Sequence, residues 1–389
     1  MGQGIISRMT NPSCPIFGSC GGCSSQHIDY EVQLDNKKQM VFQSLERCGI
    51  KLPETVKVFS DKPYGFRSRM DFIATAQGPG LRHKDAKDQI IPVTNCPIAN
   101  EGVNNLLKEV AVWWDQKKRD LIPFDTRRQS GCAKYIVIRS SEHIPSSTVS
   151  FVLNEDSPAL QAHIDLFKDY ATISTATNVV IATLPKDKDM SLSPEAFAVK
   201  GSLTMQEKLH NTIIEFSSQG FFQNNTKMTE KMIAYCRELL EDNCLSTDVL
   251  IDLYGGAGTF GLSLRDIFSK TYIVDIESVN IECARENVKR QRISNLEAVS
   301  ADASTVGRLA QSHNDLVLIT DPPRVGMDQK TIQKIKALSP HVLVYVSCNP
   351  QQMTKELVRF NEYQLSDLAV CDLFPQTPHV EAVAILKRK

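Results

Sequence analysis

The chain has 389 residues, of which 42% are hydrophobic and 23% are charged, and its formal net charge is −1. This composition excludes a chain that is disordered throughout, and the length exceeds the size at which one hydrophobic core usually keeps growing. The near-neutral charge does not by itself indicate a nucleic-acid-binding protein, so an RNA-binding surface would have to be local. No apolar run is long enough to span a bilayer, and the first residues lack a signal-peptide pattern. We therefore expect a cytoplasmic protein that does not bind membranes.

The first motif is a group of cysteines near the N-terminus. Cys14, Cys20 and Cys23 have the spacing C-x5-C-x2-C, and Cys96 follows much later, between an asparagine and a proline. Because disulfides are rare in the reducing cytosol, these cysteines are candidate metal ligands. Four thiolates suit a zinc ion or an iron-sulfur cluster, and the spacing does not decide between them. The glycines at positions 18, 21 and 22 favour a cluster, since they let backbone amides approach inorganic sulfide.

Residues 1–200 are predicted to form an α+β domain that carries this cysteine site and binds RNA. Strand-like runs at residues 135–139 and 150–153 occur together with helical stretches at residues 30–47 and 102–116. The composition changes at residues 184–202, where prolines and charged residues indicate a loop or a hairpin that joins two domains.

Residues 201–389 alternate strands and helices, which predicts a Rossmann-like, doubly wound and mostly parallel sheet of the α/β class. Its apolar runs are at residues 249–253, 272–274, 316–319 and 342–346. Two further runs, at residues 366–374 and 380–386, lie a short turn apart and predict an antiparallel pair that closes the sheet. Such sheets bind ligands at the carboxyl ends of their strands, so the residues that follow each run are candidate site residues.

A glycine-rich turn follows the first of these strands. The segment Asp-Leu-Tyr-Gly-Gly-Ala-Gly-Thr-Phe begins at Asp252, so Gly256, Gly258 and Thr259 lie where a ligand must approach the backbone. Together with Gly261, the glycines also fit the dinucleotide fingerprint, which leaves a pyrophosphate ligand open. Asp252 argues against it, because a carboxylate that points into the crevice repels a pyrophosphate and tolerates the sulfonium of S-adenosylmethionine.

Acidic residues follow the next two strands. Asp275 ends the second strand, nineteen residues after Gly256, and Glu277 lies two positions further on. An acid at this point accepts hydrogen bonds from ribose hydroxyls in Rossmann-type sites. Asp302 follows a third strand-like run and is placed to meet the adenine edge. The sequence leaves open whether Asp275 or Glu277 binds the ribose.

The fourth and fifth strands end in motifs that suit catalysis. The fourth is followed by Asp321-Pro-Pro-Arg324, and the fifth by Ser-Cys-Asn-Pro, which contains Cys348. A cysteine at a strand tip is a candidate nucleophile, but a thiol of pKa about 8.5 needs a nearby cation, such as Arg324, to form enough thiolate. The alternative is a buried inert cysteine. The polar neighbours of Cys348 favour an exposed tip.

These motifs resemble the uracil-C5 RNA methyltransferases, the family that includes the tRNA and 23S rRNA 5-methyluridine enzymes. The resemblance covers essentially the whole chain, and it also rests on Phe-Phe-Gln-Asn at residues 221–224 and Phe-Pro-Gln-Thr-Pro-His-Val-Glu at residues 374–381. The sequence departs from the family at Gly255, usually a cysteine, and at Asp275, usually a glutamate. The resemblance implies S-adenosylmethionine as the cofactor, Cys348 as the nucleophile, Glu381 as the base and Asp321 as the contact to the pyrimidine edge. It implies that Gln223, Tyr254, Asp275 and Asp302 contact the cofactor, and the predicted cofactor site also includes Gly256, Gly258, Thr259 and Asp321.

The resemblance also implies RNA as the partner and a [4Fe-4S] cluster, with zinc as the alternative, on Cys14, Cys20, Cys23 and Cys96. Thirteen residues precede Cys14, so we expect the N-terminal TRAM domain of many relatives to be absent. This layout resembles the branch that modifies a hairpin-loop uridine of 23S rRNA, and a tRNA substrate is the alternative. We expect a monomer. The residues expected to contact RNA are Phe66, Arg67, Arg69, Arg82, His83, Lys84 and Lys134.

Three other functions remain open from the sequence. The Asp-Pro-Pro motif also occurs in enzymes that methylate exocyclic amino groups directly, which needs no cysteine. An iron-sulfur redox or radical enzyme would use the N-terminal cysteines, although radical enzymes normally leave one iron open and four ligands close the cluster. A non-catalytic RNA-binding adapter is the third, and the presence of both Cys348 and Glu381 argues against it.

Overall fold

The computed structural model of the chain describes residues 9–86, 88–245, 248–309 and 315–389. Up to residue 200 its elements are α1 (Tyr30–Arg47), β1 (Val56–Phe59), β2 (Arg69–Thr75), β3 (Gly78–Arg82), β4 (Ile90–Pro92), α2 (Glu101–Lys117), β5 (Ala133–Ser140), β6 (Ser147–Asn154), α3 (Leu160–Ile173), β7 (Asn178–Leu184) and β8 (Ala196–Lys200). Among the described helices, none is both long and apolar enough to cross a membrane.

Strands β2 to β8 form a seven-stranded sheet in the order β4-β3-β2-β5-β6-β7-β8. Helices α2 and α3 pack on this sheet, because their apolar faces share one core with it, in which Trp113, Phe151 and Phe167 contact each other. Residues 184–202 were predicted as a loop or a hairpin that joins two domains, and in the structure they connect β7 to β8, an antiparallel pair within this one sheet. The chain then leaves this sheet.

The remaining elements are β9 (Thr204–Leu209), β10 (Thr212–Ser217), α4 (Thr226–Asn243), β11 (Val249–Leu253), α5 (Thr259–Leu264), a 3-10 turn (Arg265–Ile267), β12 (Lys270–Asp275), α6 (Ser278–Arg290), β13 (Leu296–Ser300), a second 3-10 turn (Ala303–Arg308), β14 (Leu316–Thr320), α7 (Gln329–Leu338), β15 (Val342–Ser347), α8 (Pro350–Leu357), β16 (Tyr363–Cys371) and β17 (Glu381–Arg388). Strands β9 and β10 form a separate hairpin. The other strands, with β1, form an eight-stranded sheet.

The strand order of the large sheet is β1-β16-β17-β15-β14-β11-β12-β13. Strands β11 to β15 run parallel, whereas β17 lies antiparallel between β15 and β16. Strands β11, β14 and β15 are buried along their whole length, as expected of central parallel strands covered on both faces. The structure thus confirms the predicted Rossmann-like sheet and its closing antiparallel pair. The carboxyl ends of β11, β14 and β15 meet the first residue of β17 at one edge.

Residues 30–59 join the large sheet, which differs from the predicted organisation with a boundary at residue 200. Strand β1 pairs in parallel with β16. Helix α1 buries Val41 and Leu45 completely, in the same core as residues of β14 and β15. A four-residue edge strand carries too little hydrophobic pattern to reveal its partner from sequence. From α1 onward the chain therefore contributes first to the layer of the large sheet, then builds the seven-stranded sheet and then returns to the large sheet.

Candidate active site

Cys348, Asp321 and Glu381 lie together at one edge of the large sheet. Cys348 directly follows β15, Asp321 directly follows β14, and Glu381 is the first residue of β17. Ser347 pairs with Ala382 in the antiparallel pair of β15 and β17. The residue after Ser347 therefore lies opposite the residue before Ala382, which places Cys348 beside Glu381. The charge of Asp321 raises the pKa of both Cys348 and Glu381, as their proximity requires. Strand pairing thus unites three residues that are far apart in the sequence.

The environment of these three groups disfavours negative charge. Burial raises the pKa of Asp321. Glu381 is only 3% exposed, and burial raises its pKa well above the usual range of a glutamate. Burial also raises the pKa of the Cys348 thiol to about 11, and the charges of Glu381 and Asp321 add to this effect, while Arg324 opposes it. The protein environment therefore favours the protonated forms of these three groups over their anions. A thiolate requires additional positive charge or a hydrogen bond.

The segment after β15 gives Cys348 some of that support. Pro350 begins α8, and the side chain of Asn349 caps the helix by accepting from the amide of Gln352. Cys348 therefore lies just before a helix N-terminus, whose partial positive charge favours a thiolate. The Asn349 Nδ2 also donates to the carbonyl of Arg324 at 3.1 Å, which links the motifs that follow β14 and β15.

Gln223 reaches the same edge from the segment between β10 and α4. Its Nε2 donates to Asp321 Oδ2 at 3.1 Å, and this bond opposes the increase in the pKa of Asp321. Gln223 is buried, whereas Phe221, two residues before it, is exposed. The sequence predicted Gln223 as a cofactor contact, and the structure adds a contact to Asp321.

The glycine-rich loop after β11 turns through left-handed backbone conformations. The φ angles of Tyr254, Gly256 and Gly258 are 61°, 57° and 97°. Tyr254 is therefore held in a backbone conformation that residues other than glycine rarely adopt. A Cβ on Gly256 would have no heavy atom within 4 Å, so the space beside Gly256 is open to a ligand. A Cβ on Gly258 would lie 2.7 Å from Ile273, so this glycine permits close packing of the loop on β12.

Asp252 lies beneath this loop rather than in an open crevice, contrary to the sequence prediction. It is fully buried, and its Oδ2 accepts from the amide of Gly261 at 2.7 Å, which secures the start of α5. Its Oδ1 has no partner among the described residues, and burial raises its pKa to about 7. A Cβ on Gly255 would lie 2.9 Å from Oδ2, which explains why this position holds the smallest residue.

Three other predicted cofactor contacts surround the loop. Asp275 accepts from the amide of Gly256 at 2.9 Å and from that of Glu277 at 2.8 Å, whereas the side chain of Glu277 is exposed. Asp302 is exposed. Burial is the main cause that raises the pKa of Tyr254, and the charge of Asp302 adds to this effect, so these two residues lie near each other. Thr259 is the first residue of α5. The structure therefore gathers the predicted positions around one loop.

The four predicted ligand cysteines meet in the N-terminal half. Cys14, Cys20, Cys23 and Cys96 line one cavity of about 150 Å³, which we call the cysteine cavity. Burial, and then the charges of the other three cysteines, raise the pKa of Cys23 to about 11. The amide of Gly22 donates to Cys20 Sγ at 3.4 Å, as expected of a glycine-flanked thiolate site. The fold thus brings Cys96 to the three N-terminal cysteines.

The structure changes the set of residues available to RNA. Phe66 and Lys134 are buried, contrary to expectation. The Lys134 Nζ donates to the carbonyl oxygens of Pro185 and Lys188, at 2.6 and 2.7 Å, and so holds the hairpin between β7 and β8. Arg69 forms an ion pair with Asp71, and Arg82 with Asp189. Lys84 is exposed and His83 partly exposed, and Arg67 lines the cysteine cavity.

The sequence did not predict that residues of α1 contribute to this site. Tyr30, Gln33 and Lys37 contact the connection between β16 and β17, which leads into Glu381. A signal was present, since the three polar residues recur at helical spacing, but a sequence does not show that such a polar face is buried.

A comparison with known proteins identifies the family. The model of the family described as tRNA (uracil-5-)-methyltransferase matches residues 29–389. The chain belongs to this family. It is an S-adenosylmethionine-dependent RNA uracil-C5 methyltransferase, as the motifs predicted.

Individual relatives agree with this assignment. The methyltransferase is 28% identical over 374 residues to tRNA (uracil(54)-C(5))-methyltransferase of Pyrococcus horikoshii, a match that covers 96% of this chain and 85% of the relative. It is 27% identical to an uncharacterized RNA methyltransferase of Caldanaerobacter subterraneus, with 96% and 84% covered. The crystal structure of Pyrococcus abyssi tRNA (uracil-54, C5)-methyltransferase in complex with S-adenosyl-L-homocysteine superposes with a TM-score of 0.77 and 25% identity, covering 94% of this chain and 85% of that one.

Proposed function

We propose that this methyltransferase methylates C5 of a loop uridine through a transient bond between Cys348 Sγ and C6 of the ring. The observation that carries the proposal is the position of Cys348 beside Glu381, with Asp321 following the next strand. A direct amino-group methyltransferase needs no such cysteine. Since a flipped uridine leaves a loop more readily than a duplex, a hairpin loop is the expected substrate.

The residues divide the chemistry between them. The Cys348 thiolate adds to C6, and electron density moves into an enolate. C5 then bonds to the methyl carbon of S-adenosylmethionine while the bond between that carbon and sulfur breaks, which leaves S-adenosylhomocysteine. Glu381 removes the proton that remains on C5, and the Cys348–C6 bond breaks to restore the aromatic ring and the thiolate. The Asp321 carboxylate accepts from N3–H of uracil. Cytosine has no proton at N3, so this contact selects uracil.

The open space beside Gly256 is the proposed cofactor pocket. Asp275 is the better candidate for the ribose, because it contacts Gly256 while Glu277 points to solvent. Tyr254 and Asp302 lie together and are proposed to contact the adenine end. Gln223, which is bonded to Asp321, would then line the boundary between cofactor and pyrimidine.

We further propose that the cysteine cavity holds a [4Fe-4S] cluster. A zinc ion held by four thiolates at about 2.3 Å fills the space between its ligands. A cavity of about 150 Å³ is roughly ten times the volume that one water requires, which favours a larger group. The Arg67 guanidinium on the cavity wall would offset the negative charge of such a cluster. Its role here would be structural, since four thiolates leave no open iron.

Two kinds of RNA are candidate substrates. A hairpin loop of 23S rRNA is proposed from the resemblance to the short rRNA branch. A tRNA is favoured by the named relatives, which act on position 54 of tRNA. In either case the seven-stranded sheet with its cysteine site is the proposed RNA-binding part, with Lys84 and His83 on its surface.

Replacement of Cys348 tests the reaction. With RNA that carries 5-fluorouridine, the native protein should form a covalent adduct in the presence of S-adenosylmethionine, because fluorine on C5 prevents the final proton removal. Cys348→Ala should abolish the adduct and lower turnover by at least about 10³-fold, and Glu381→Gln should accumulate adduct with ordinary uridine RNA. Denaturing gel electrophoresis measures the adduct. Near-native turnover of Cys348→Ala would refute the covalent route.

Mapping of 5-methyluridine identifies the RNA. Mass spectrometry of rRNA and tRNA from cells that lack the gene should show one lost 5-methyluridine in a 23S rRNA hairpin loop, restored by the native gene but not by Cys348→Ala. Loss at a tRNA position with intact rRNA would establish the tRNA alternative and disprove the rRNA assignment.

The metal content tests the cysteine site. Protein purified without oxygen should contain about four irons and four sulfides per chain, and Cys96→Ser should lose them. Cys132→Ser is the matched control, since Cys132 is buried in the same domain but does not line the cavity. One zinc per chain, without sulfide, would show the zinc alternative instead.

A further inference from the structure

Helix α1 carries a polar stripe on a buried face. Tyr30, Gln33 and Lys37 are spaced i, i+3 and i+7, so they lie on one side of the helix. Gln33 is 4% exposed and Lys37 is 3% exposed. Buried helix faces are usually apolar, and a buried polar group costs free energy unless it is hydrogen-bonded. The stripe therefore needs partners, and all three residues find them on one segment.

That segment is the connection between β16 and β17, residues 372–380, which we call the base loop because it ends at Glu381. Lys37 forms a buried ion pair with Asp372 and donates to the carbonyl of Phe374 at 2.9 Å. Tyr30 donates to the other oxygen of Asp372 at 2.7 Å. Three contacts from two residues of α1 thus hold the start of the base loop.

Gln33 and Gln376 form the centre of a three-way junction. Gln33 Nε2 donates to Gln376 Oε1 at 3.1 Å, and the Gln376 amide donates back to Gln33 Oε1 at 3.2 Å. The same Nε2 lies 3.0 Å from the Ser25 carbonyl and 2.9 Å from the Ile28 carbonyl. The Gln376 carbonyl accepts from the amides of Ser24 and Ser25, at 3.0 and 3.1 Å. Ser24 directly follows the ligand candidate at position 23.

Gln376 also has a strained backbone conformation, and the hydrogen bonds of the junction stabilise it. Its φ angle is 66°, a left-handed conformation that costs free energy for a residue other than glycine. Such a conformation persists only where surrounding bonds determine it, and here these bonds come from α1 and from residues 24 and 25. If the junction loosens, the base loop loses the contacts that favour this conformation.

The base loop also lies between the two functional centres. His379 is exposed near its end, and the charges of Arg324 and Arg67 both act on it. Arg324 belongs to the motif after β14, whereas Arg67 lines the cysteine cavity. A shift of this loop would therefore move groups that border the proposed uridine cleft.

We propose that Gln33 and Gln376 couple the order of the cysteine segment, residues 14–28, to the order of the base loop. They are positioning residues, and the cysteine site thereby influences methyl transfer through this loop. The inference rests on the proposed function in so far as the four cysteines hold a group and the loop borders the uridine cleft.

Hydrogen–deuterium exchange of the full-length protein, purified without oxygen, tests the coupling. Gln33→Leu should speed amide exchange in both residues 14–28 and residues 372–380, on the order of tenfold, as expected for the loss of one or two hydrogen bonds. Gln39→Leu is the matched control, because it makes the same substitution at an exposed position of α1 and should exchange like the native protein. Gln33→Leu should also raise KM for RNA while the Kd for S-adenosylmethionine stays unchanged.

Cys23→Ser tests the coupling from the other side and does not depend on the folding of Gln33→Leu. It should speed exchange in the base loop as well as in the cysteine segment, and adding Gln33→Leu should speed the loop little further, since both changes break one pathway. Faster exchange of residues 14–28 with a native-like base loop would overturn the inference. The exchange measurement does not involve catalysis, so a failure of the coupling is distinct from a failure of the Cys348 reaction.

Discussion

The site depends on an electrostatic constraint: acidic groups lie buried together where strands of one sheet end. Asp321, Cys348 and Glu381 all have raised pKa values, with burial as the main cause, and the charge of Asp321 raises the pKa of Cys348 and Glu381 further. Asp252, beneath the glycine-rich loop, feels the charge of Asp321 in the same way. Such an environment resists ionisation of these groups. A cationic cofactor that enters it makes ionisation more favourable.

This constraint connects the cofactor to Cys348, the proposed nucleophile. A protonated Cys348 is a poor nucleophile, and it is also a poor target for oxidation. If the sulfonium of S-adenosylmethionine supplies the missing positive charge, the thiolate forms when the methyl donor is present. Arg324 and the N-terminus of α8 also favour the thiolate, so the cofactor needs to lower the pKa of Cys348 by less than burial alone would require.

The topology explains how one edge collects these groups. In a purely parallel sheet each neighbouring strand would contribute the residue at its end. Strand β17 runs the other way, so its first residue, Glu381, lies at the same edge as the residue after β15. The preceding base loop must return to this edge. Helix α1, which precedes the seven-stranded sheet in the chain, secures that return through Lys37 and Gln33.

Much of this arrangement could be predicted from the sequence. Helix α1 and strand β11 have the predicted limits, because Asp29 caps the start of the helix and β11 is one short, mostly apolar run that a glycine-rich turn follows. The positions of the motif residues at the strand tips were also predictable, since the carboxyl ends of parallel strands lie at the same edge of a sheet. Their roles came from the family resemblance.

Other features depend on partners that the sequence does not reveal. Lys134 resembles a surface lysine until its contacts with carbonyl oxygens about fifty residues away are known. The side of the turn that Asp252 faces is set by its bond to Gly261. The pairing of Gln33 with Gln376 joins residues 343 positions apart. In each case tertiary contacts decide, and no local pattern encodes them.

Calorimetric titration in buffers of different ionisation enthalpy tests the electrostatic claim most directly. S-adenosylmethionine and S-adenosylhomocysteine differ in the methyl group and the positive charge on sulfur. Near neutral pH, binding of S-adenosylmethionine should release more protons than binding of S-adenosylhomocysteine, because the sulfonium lowers the pKa of the buried acids. Equal proton release by the two ligands would contradict the account.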